Sequence, residues 1–329
     1  MRKHILGNSN LEASILGFGC MGLSEFYGPP TEEAESLNIL NHAYHNGINF
    51  FDTADIYGCG HNEQLLSKFI RDKRSKIILA TKCAIVRKPG EYARKIDNSP
   101  QYIHNACDAS LKRLQTDYID LYYIHRFSGE TPIEDVMHAL AKLKTQGKIR
   151  QIGLSEVSAN TLRKACKITP VAALQTEYSI STRDVEADIL PTCHDVGTGF
   201  VSYSPLGRGL LTGQIKSLND LADDDFRRIS PRFNEENFNN NLKRLSLLND
   251  LAQSKNCTPG QIAIAWLLHR PVPIFPIPGT KRIKYLDQNI QAANIELTRD
   301  EISLIDNSFP PGFFGGQRYP EAGMTGINT

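Results

Sequence analysis

The chain has almost no net charge, because 37 Lys and Arg oppose 36 Asp and Glu and leave +1 over 329 residues. Without a global field, nucleic acid and anionic membrane surfaces are not expected partners. No apolar run approaches the ~18 residues that a membrane span needs. Residues 1–10 hold Arg2 and Lys3 but no apolar stretch of the signal-peptide kind. A soluble, cytoplasmic protein is expected. Cysteine occurs seven times, from Cys20 to Cys257, with no C-x-x-C pair. That odd, scattered set argues against a disulfide framework or a zinc site and for free thiols. His42 and His45 form an H-x-x-H, but the surrounding pattern is helical and no third ligand is near, so no metal is expected. No Pro/Ser-rich linker or composition shift divides the chain.

What is present is ordinary globular composition, with 40% hydrophobic and 22% charged residues. At about 150 residues per domain the length allows two domains or one large barrel. Short apolar, β-branched runs recur at 15–20, 48–52, 77–82, 118–125, 149–155, 172–177, 200–204 and 272–276. Helical patterns at 31–46, 102–114, 132–146, 159–168 and 283–293 separate many of them. Alternation of this kind gives parallel strands with crossover helices. About eight units predict an α/β fold, a single (β/α)8 TIM barrel over residues 1–329. Thr31, ahead of Glu32, Glu33 and Glu35, is the expected N-cap of the first helix. Gly147 is expected to close a helix in the left-handed conformation. The polar stretch 216–241, with Asp223, Asp224 and Asp225, reads as a long loop after the seventh strand. The glycine-rich tail 312–329 reads as irregular, with Phe313, Phe314 and Tyr319 able to fold back over a pocket.

Gly17, Gly19 and Gly22 spell G-x-G-x-x-G, but Pro29 and Pro30 follow, no apolar helical face starts there, and the first strand-ending acid is Asp52. A dinucleotide-binding turn needs both a helix and an acid about 20 residues on. These glycines are expected instead to permit close backbone approach.

In a barrel, polar residues closing the strands converge on one site. Here the second run closes on Asp52, the third on Lys82 and the fourth on His125, with Tyr57 five residues past Asp52. A phenol with a pKa near 10 donates a proton poorly unless a cation favours its anion. Lys82, aimed by Asp52, is expected to supply that cation, and His125 a second hydrogen bond to the reacting oxygen. An acid placed where negative charge develops on oxygen suits carbonyl reduction.

These residues resemble the aldo-keto reductase family. The segments that carry the resemblance are Phe51-Asp52-Thr53-Ala54-Asp55-Ile56-Tyr57-Gly58, Ala80-Thr81-Lys82, Asp120 through Arg126, Gly147 through Ser155, Leu174 through Ser179, Tyr203 through Leu210, and Ile277-Pro278-Gly279-Thr280-Lys281 with Gln288 and Asn289. They span nearly the whole chain in family order. The resemblance implies NADPH bound without a Rossmann domain and a tetrad of Asp52, Tyr57, Lys82 and His125, with Tyr57 as general acid. It implies that Ser155 and Gln175 hold the nicotinamide carboxamide, with Glu156 where many members carry asparagine, and that Tyr203 stacks on the ring. Ser204, Pro205, Leu206, Gly207, Arg208 and Leu210 match a strap along the pyrophosphate. Gly279, Thr280 and Lys281 match a 2′-phosphate clamp, and Gln288 and Asn289 lie near the adenine. Tyr285 replaces a frequent arginine, which leaves the phosphate to Lys281 with Arg282 or Lys284. Gly19, Cys20 and Met21 complete the expected cofactor contacts. Phe26, Tyr27 and Arg126 are expected to line the pocket for a small carbonyl substrate, and the tail aromatics Phe313 and Phe314 with them.

Two other readings compete. A lyase would use neutral Lys82 as a Schiff-base nucleophile, which Asp52 opposes. A cofactor-sensing regulatory subunit would bind the nucleotide without turnover.

Overall fold

A computed structural model of the chain describes residues 1–88 and 95–329. A hairpin of β1 (Lys3–Ile5) and β2 (Glu12–Ser14) leads into β3 (Phe18–Gly19), β4 (Phe50–Asp52) and β5 (Ile78–Cys83). The short antiparallel pair β6 (Ile85–Val86) and β7 (Lys95–Ile96) follows. Then come β8 (Ile119–Ile124), β9 (Ile149–Ser155), β10 (Ala173–Glu177), β11 (Gly199–Tyr203) and β12 (Ile274–Pro276). The eight-stranded sheet runs β3-β4-β5-β8-β9-β10-β11-β12, each pair parallel. Gly17 N donates to Pro276 O at 2.9 Å and Gly19 N to Pro278 O at 3.4 Å, so the first and last strands meet and the barrel closes. All eight expected runs are strands of this sheet.

The strands are continuous apolar runs because both of their faces are covered. Phe50, Ile78, Leu121, Val201 and Phe275 fill the interior, and Leu6, Leu11 and Ala13 of the hairpin join that cluster. The hairpin meets the strand starts, where Ser14 N donates to Asn49 Oδ1 at 2.6 Å and Asn8 N to Gly197 O at 2.7 Å. It plugs one end of the barrel and leaves the C-terminal strand ends as the open end.

The outer ring comprises α1 (Glu33–His45), α2 (His61–Ile70), α3 (Pro100–Leu114), α4 (Ile133–Thr145), α5 (Ala159–Ile168), α6 (Ile189–Val196), α7 (Glu235–Lys243), α8 (Ser246–Ser254), α9 (Pro259–Leu268), α10 (Ile283–Gln291) and α11 (Arg299–Ser308). Gly147 has φ +75° past the end of α4, as expected. Three expectations need correction. Thr31 does not cap α1, since the helix begins at Glu33 and no side chain caps its start. The stretch 216–241 is not all loop, because Asn234 accepts from Asn237 N and starts α7 over Phe238, which is buried. Phe313 and Phe314 pack against Phe309 at ring separations of 5.6 and 5.7 Å, on the core rather than over the site.

No helix among the described residues is long and apolar enough to cross a membrane. All seven cysteines are unbonded.

Candidate active site

The open end gathers the strand-closing side chains. Asp52 is the last residue of β4 and Lys82 lies near the end of β5, two strands paired in parallel register. Lys82 is fully buried and donates to Asp52 Oδ1 and, at 2.8 Å, to Thr53 O. The other Asp52 oxygen accepts from Gln175 Nε2 at 2.8 Å. Tyr57 opens a turn in which Gly58, Cys59 and Gly60 all have positive φ. Thr53 anchors that turn by donating to Asn62 at 2.5 Å, and Asn62 in turn donates to Cys20 O at 2.9 Å. His125 directly follows β8, its backbone N bonded to Cys83 O at 2.8 Å. Its ring stands edge-on to Tyr57, with centres 5.7 Å apart. The four expected residues therefore share one site.

The electrostatics depart from expectation at one point. Burial, then the Asp52 charge, pushes the Tyr57 phenol well above its ordinary value, and Arg126 is the leading cation that opposes this. Lys82 does sit over the Tyr57 ring, 5.2 Å from its centre. Paired with Asp52, however, it presents little net charge to the phenol. Burial lowers Lys82 and raises Asp52, and their mutual attraction works against both shifts.

Across the mouth, Ser155 and Glu156 end β9, Glu177 ends β10 and Tyr203 ends β11. Ser155 Oγ is buried without a hydrogen-bond partner among the described residues. Glu156, at φ +59°, accepts from Glu177 N at 3.1 Å and Tyr203 Oη at 2.7 Å. Arg318, from the tail, grips it through two bonds of 2.9 and 3.0 Å. Burial alone would raise the Glu156 carboxyl, but Arg318 and Arg126 outweigh it and hold the group below its ordinary value. Glu177 accepts from Arg208 at 2.8 Å and Arg232 at 3.4 Å. Tyr319 Oη lies 3.1 Å from Tyr203 Oη, and the Arg208 guanidinium is 4.3 Å from the Tyr319 ring centre. Tyr319 thus does fold over the site.

The strap Ser204 to Leu210 turns sharply, with positive φ at Ser204, Gly207 and Arg208, and Pro205 and Leu210 are buried while Leu206 is half-buried. Cys20 is buried beside half-buried Gly19 and Met21. A Cβ on Gly19 would lie 2.7 Å from Ile277 O and one on Gly17 3.2 Å from Phe50 O, so these two serve close approach as expected, whereas one on Gly22 would meet only Tyr27 at an ordinary 3.5 Å. Lys281 Nζ donates to Tyr27 O at 2.8 Å and Pro29 O at 2.6 Å, which ties the 279–281 turn to the loop after β3. Thr280 and Gln288 are half-buried, Asn289 is buried, and Arg282 and Lys284 are exposed. Phe26 packs edge-on to Phe226 at 5.7 Å, and Arg227 lies 5.0 Å from the Tyr27 ring centre. Arg126 is buried beside Tyr319, at 5.8 Å.

Sequence reading missed Glu177, Arg232 and Arg318. One signal was available: Glu156 and Glu177 stand at strand ends where carboxylates become buried, and buried carboxylates require cations. Nothing in the aperiodic tail marked Arg318 as one of them.

The model of the Aldo/keto reductase family matches residues 15–309. Aldo-keto reductase yakc (NADP(+)) of Schizosaccharomyces pombe is 45% identical over 320 residues, 96% of this chain and 93% of that one. Probable aldo-keto reductase 1 of Glycine max is 42% identical over 315 residues, 95% of this chain and 90% of that one. Among solved structures, the glycerol dehydrogenase AKR11B4 of Gluconobacter oxydans superposes with a TM-score of 0.84 at 27% identity, covering 94% of this chain and 96% of that one.

Proposed function

The chain belongs to the aldo/keto reductase family, and from that premise we propose that it reduces aldehydes or ketones to alcohols with NADPH, with Tyr57 as the general acid. One observation carries the reading. A fully buried lysine, fixed by Asp52, lies over the ring of a tyrosine whose other neighbour is His125.

The bound nucleotide would supply hydride to the carbonyl carbon. Everything else falls to the protein. Burial and the Asp52 charge keep the Tyr57 phenol protonated at neutral pH, so it holds the proton the product alcohol needs. The phenol and the His125 ring share one end of the barrel and offer two hydrogen bonds to an oxygen gaining negative charge. Lys82, bound to Asp52 and the Thr53 carbonyl, is held over the Tyr57 ring with its charge shared with Asp52. That commitment also speaks against a Schiff-base role.

The site suits a dinucleotide on two grounds. Ser155 Oγ is a buried polar atom with no partner among the described residues, which an amide group would satisfy. Gln175, with its amide nitrogen on Asp52, keeps its oxygen for the same group, whereas both Glu156 oxygens are taken by Arg318. Arg208 and Arg232 share the single acid Glu177, which leaves one positive charge beside the Ser204 to Leu210 strap for an anionic pyrophosphate. Lys281, with two of its three protons on backbone carbonyls, keeps one for a 2′-phosphate, and Arg282 and Lys284 lie beside it. The printed name of the fission-yeast relative, with its NADP(+), supports the same preference. We read residues 1–329 as one domain, because its eight-stranded sheet runs from Phe18 to Pro276 and the tail returns to the site. Seven unbonded thiols support a reducing, cytoplasmic setting.

The test is loss of NADPH absorbance with a panel of aldehydes and ketones. Turnover with several members is the expected result, and none with any member contradicts the reading.

A further inference from the structure

The charges around Tyr57 do not cancel. The carboxylates whose charge reaches Tyr57 or Arg126 each have a cation of their own: Asp52 has Lys82, Glu25 has Arg87 at 2.5 Å, and Glu156 has Arg318 at 2.9 Å. Arg126 is a fourth cation. It is only 3% exposed, and among the described residues no carboxylate lies within ion-pair distance of it. Its Nη1 donates to the carbonyl of the adjacent His125 at 3.1 Å, while Nε is buried with no hydrogen-bond partner among the described residues. Its charge acts on Tyr57, Tyr203 and Tyr319 and on Glu156, which Arg318 already pairs, and it hydrogen-bonds Tyr203, so the guanidinium faces the reacting end of the site.

A buried guanidinium without an acid is costly, and one that persists is stabilised by any anion that reaches it. Resting on the carbonyl-reduction reading above, we propose that Arg126 is a specificity determinant that receives a carboxylate carried by the substrate, so that the preferred substrates are oxo acids and carboxylate-bearing aldehydes. The charge count selects a carboxylate over a phosphate. One uncompensated positive charge is neutralised by a monoanion, whereas a phosphate dianion would leave a negative charge buried. The planar guanidinium, whose buried Nε has no hydrogen-bond partner among the described residues, also matches the two oxygens of a carboxylate.

The proposal makes Arg126 distinct from the tetrad in what it controls. It acts on which carbonyl compounds bind, so its loss should appear in the ratio of acid to neutral substrate, beside a common change in turnover from its charge on Tyr57. Two matched pairs test this with purified enzyme and NADPH: benzaldehyde against 4-carboxybenzaldehyde, and butanal against succinic semialdehyde. The wild type is expected to favour the acid in at least one pair by about tenfold or more in kcat/KM, as for other buried charge pairs. Arg126→Met should bring that ratio close to one, and Arg126→Lys should keep part of it. Should Arg126→Met fail to fold, benzoate supplies an independent readout on the wild type, where it should compete with benzaldehyde while benzamide does not. Turnover of the neutral aldehydes with no preference in either pair overturns the Arg126 assignment alone. An unchanged ratio in Arg126→Met, or equal inhibition by benzoate and benzamide, does the same. No turnover with any of the four compounds overturns the carbonyl-reduction reading itself.

Discussion

On the β4–β5 side of the barrel mouth, the buried acid Asp52 meets its cation Lys82 on the neighbouring strand, 30 positions away. On the β9–β11 side, the buried acids Glu156 and Glu177 meet cations from irregular segments, Arg318 from the tail at a separation of 162 and Arg232 at 55. The first arrangement is as rigid as the sheet that carries it. The second exists only while the tail and the 216–241 stretch are docked. On the proposed reading, chemistry that needs fixed geometry sits on the first side, and contacts that must adapt to a bound molecule sit on the second.

That contrast can be broken first on its rigid side. Lys82→Met leaves Asp52 buried without a cation, and is expected to cost about 3–5 kcal/mol in denaturant unfolding. Adding Asp52→Asn should restore much of that stability while turnover stays lost. A double variant no more stable than the single one would mean that the pair's burial is not what fixes this side.

Arg318→Ala removes the tail's grip on Glu156 and is expected to cost less, about 1–3 kcal/mol, because a released tail admits water to the carboxylate. Hydrogen exchange should quicken across 316–329 and around β9 while amides of β4 and β5 keep their protection. Equal loosening on both sides would erase the distinction between them.

The smallest effect concerns pH. Glu156 is held below its ordinary value of 4.5 in the folded chain, so the stability it contributes is complete above that value and is lost as pH falls through the lower folded one. Wild-type protein should therefore lose stability between about pH 5 and pH 3 more steeply than Arg318→Ala, as read from unfolding midpoints. Parallel curves would show that Arg318 does not set the Glu156 titration.

The same contrast governs what could be read from the chain alone. The eight strands and the tetrad were legible because apolar period and strand-end polarity are local signals; Asp52, Lys82 and His125 each close a run that identifies itself. Thr31 misled because a Thr before acids is a good cap by pattern, yet with acids at Glu32, Glu33 and Glu35 the helix starts later, at Glu33. The start of α7 was hidden because Asn237, Asn239 and Asn240 carry poor helix propensity and the burial of Phe238 overrides it. Tyr319 was legible as an aromatic able to fold back over the site, but Arg318 was not, since a tail with no periodicity carries no statement of where it docks. Phe313 and Phe314 were read as pocket walls from their aromatic character, but Phe309 on the end of α11 captures both.

The central claim is that Tyr57 gives the proton. Its most direct test is Tyr57→Phe, with turnover at saturating NADPH and aldehyde measured beside the NADPH dissociation constant. Removing a general acid should slow turnover about a hundred- to ten-thousand-fold and leave NADPH affinity essentially as in the wild type. A variant that turns over at the wild-type rate would contradict the account.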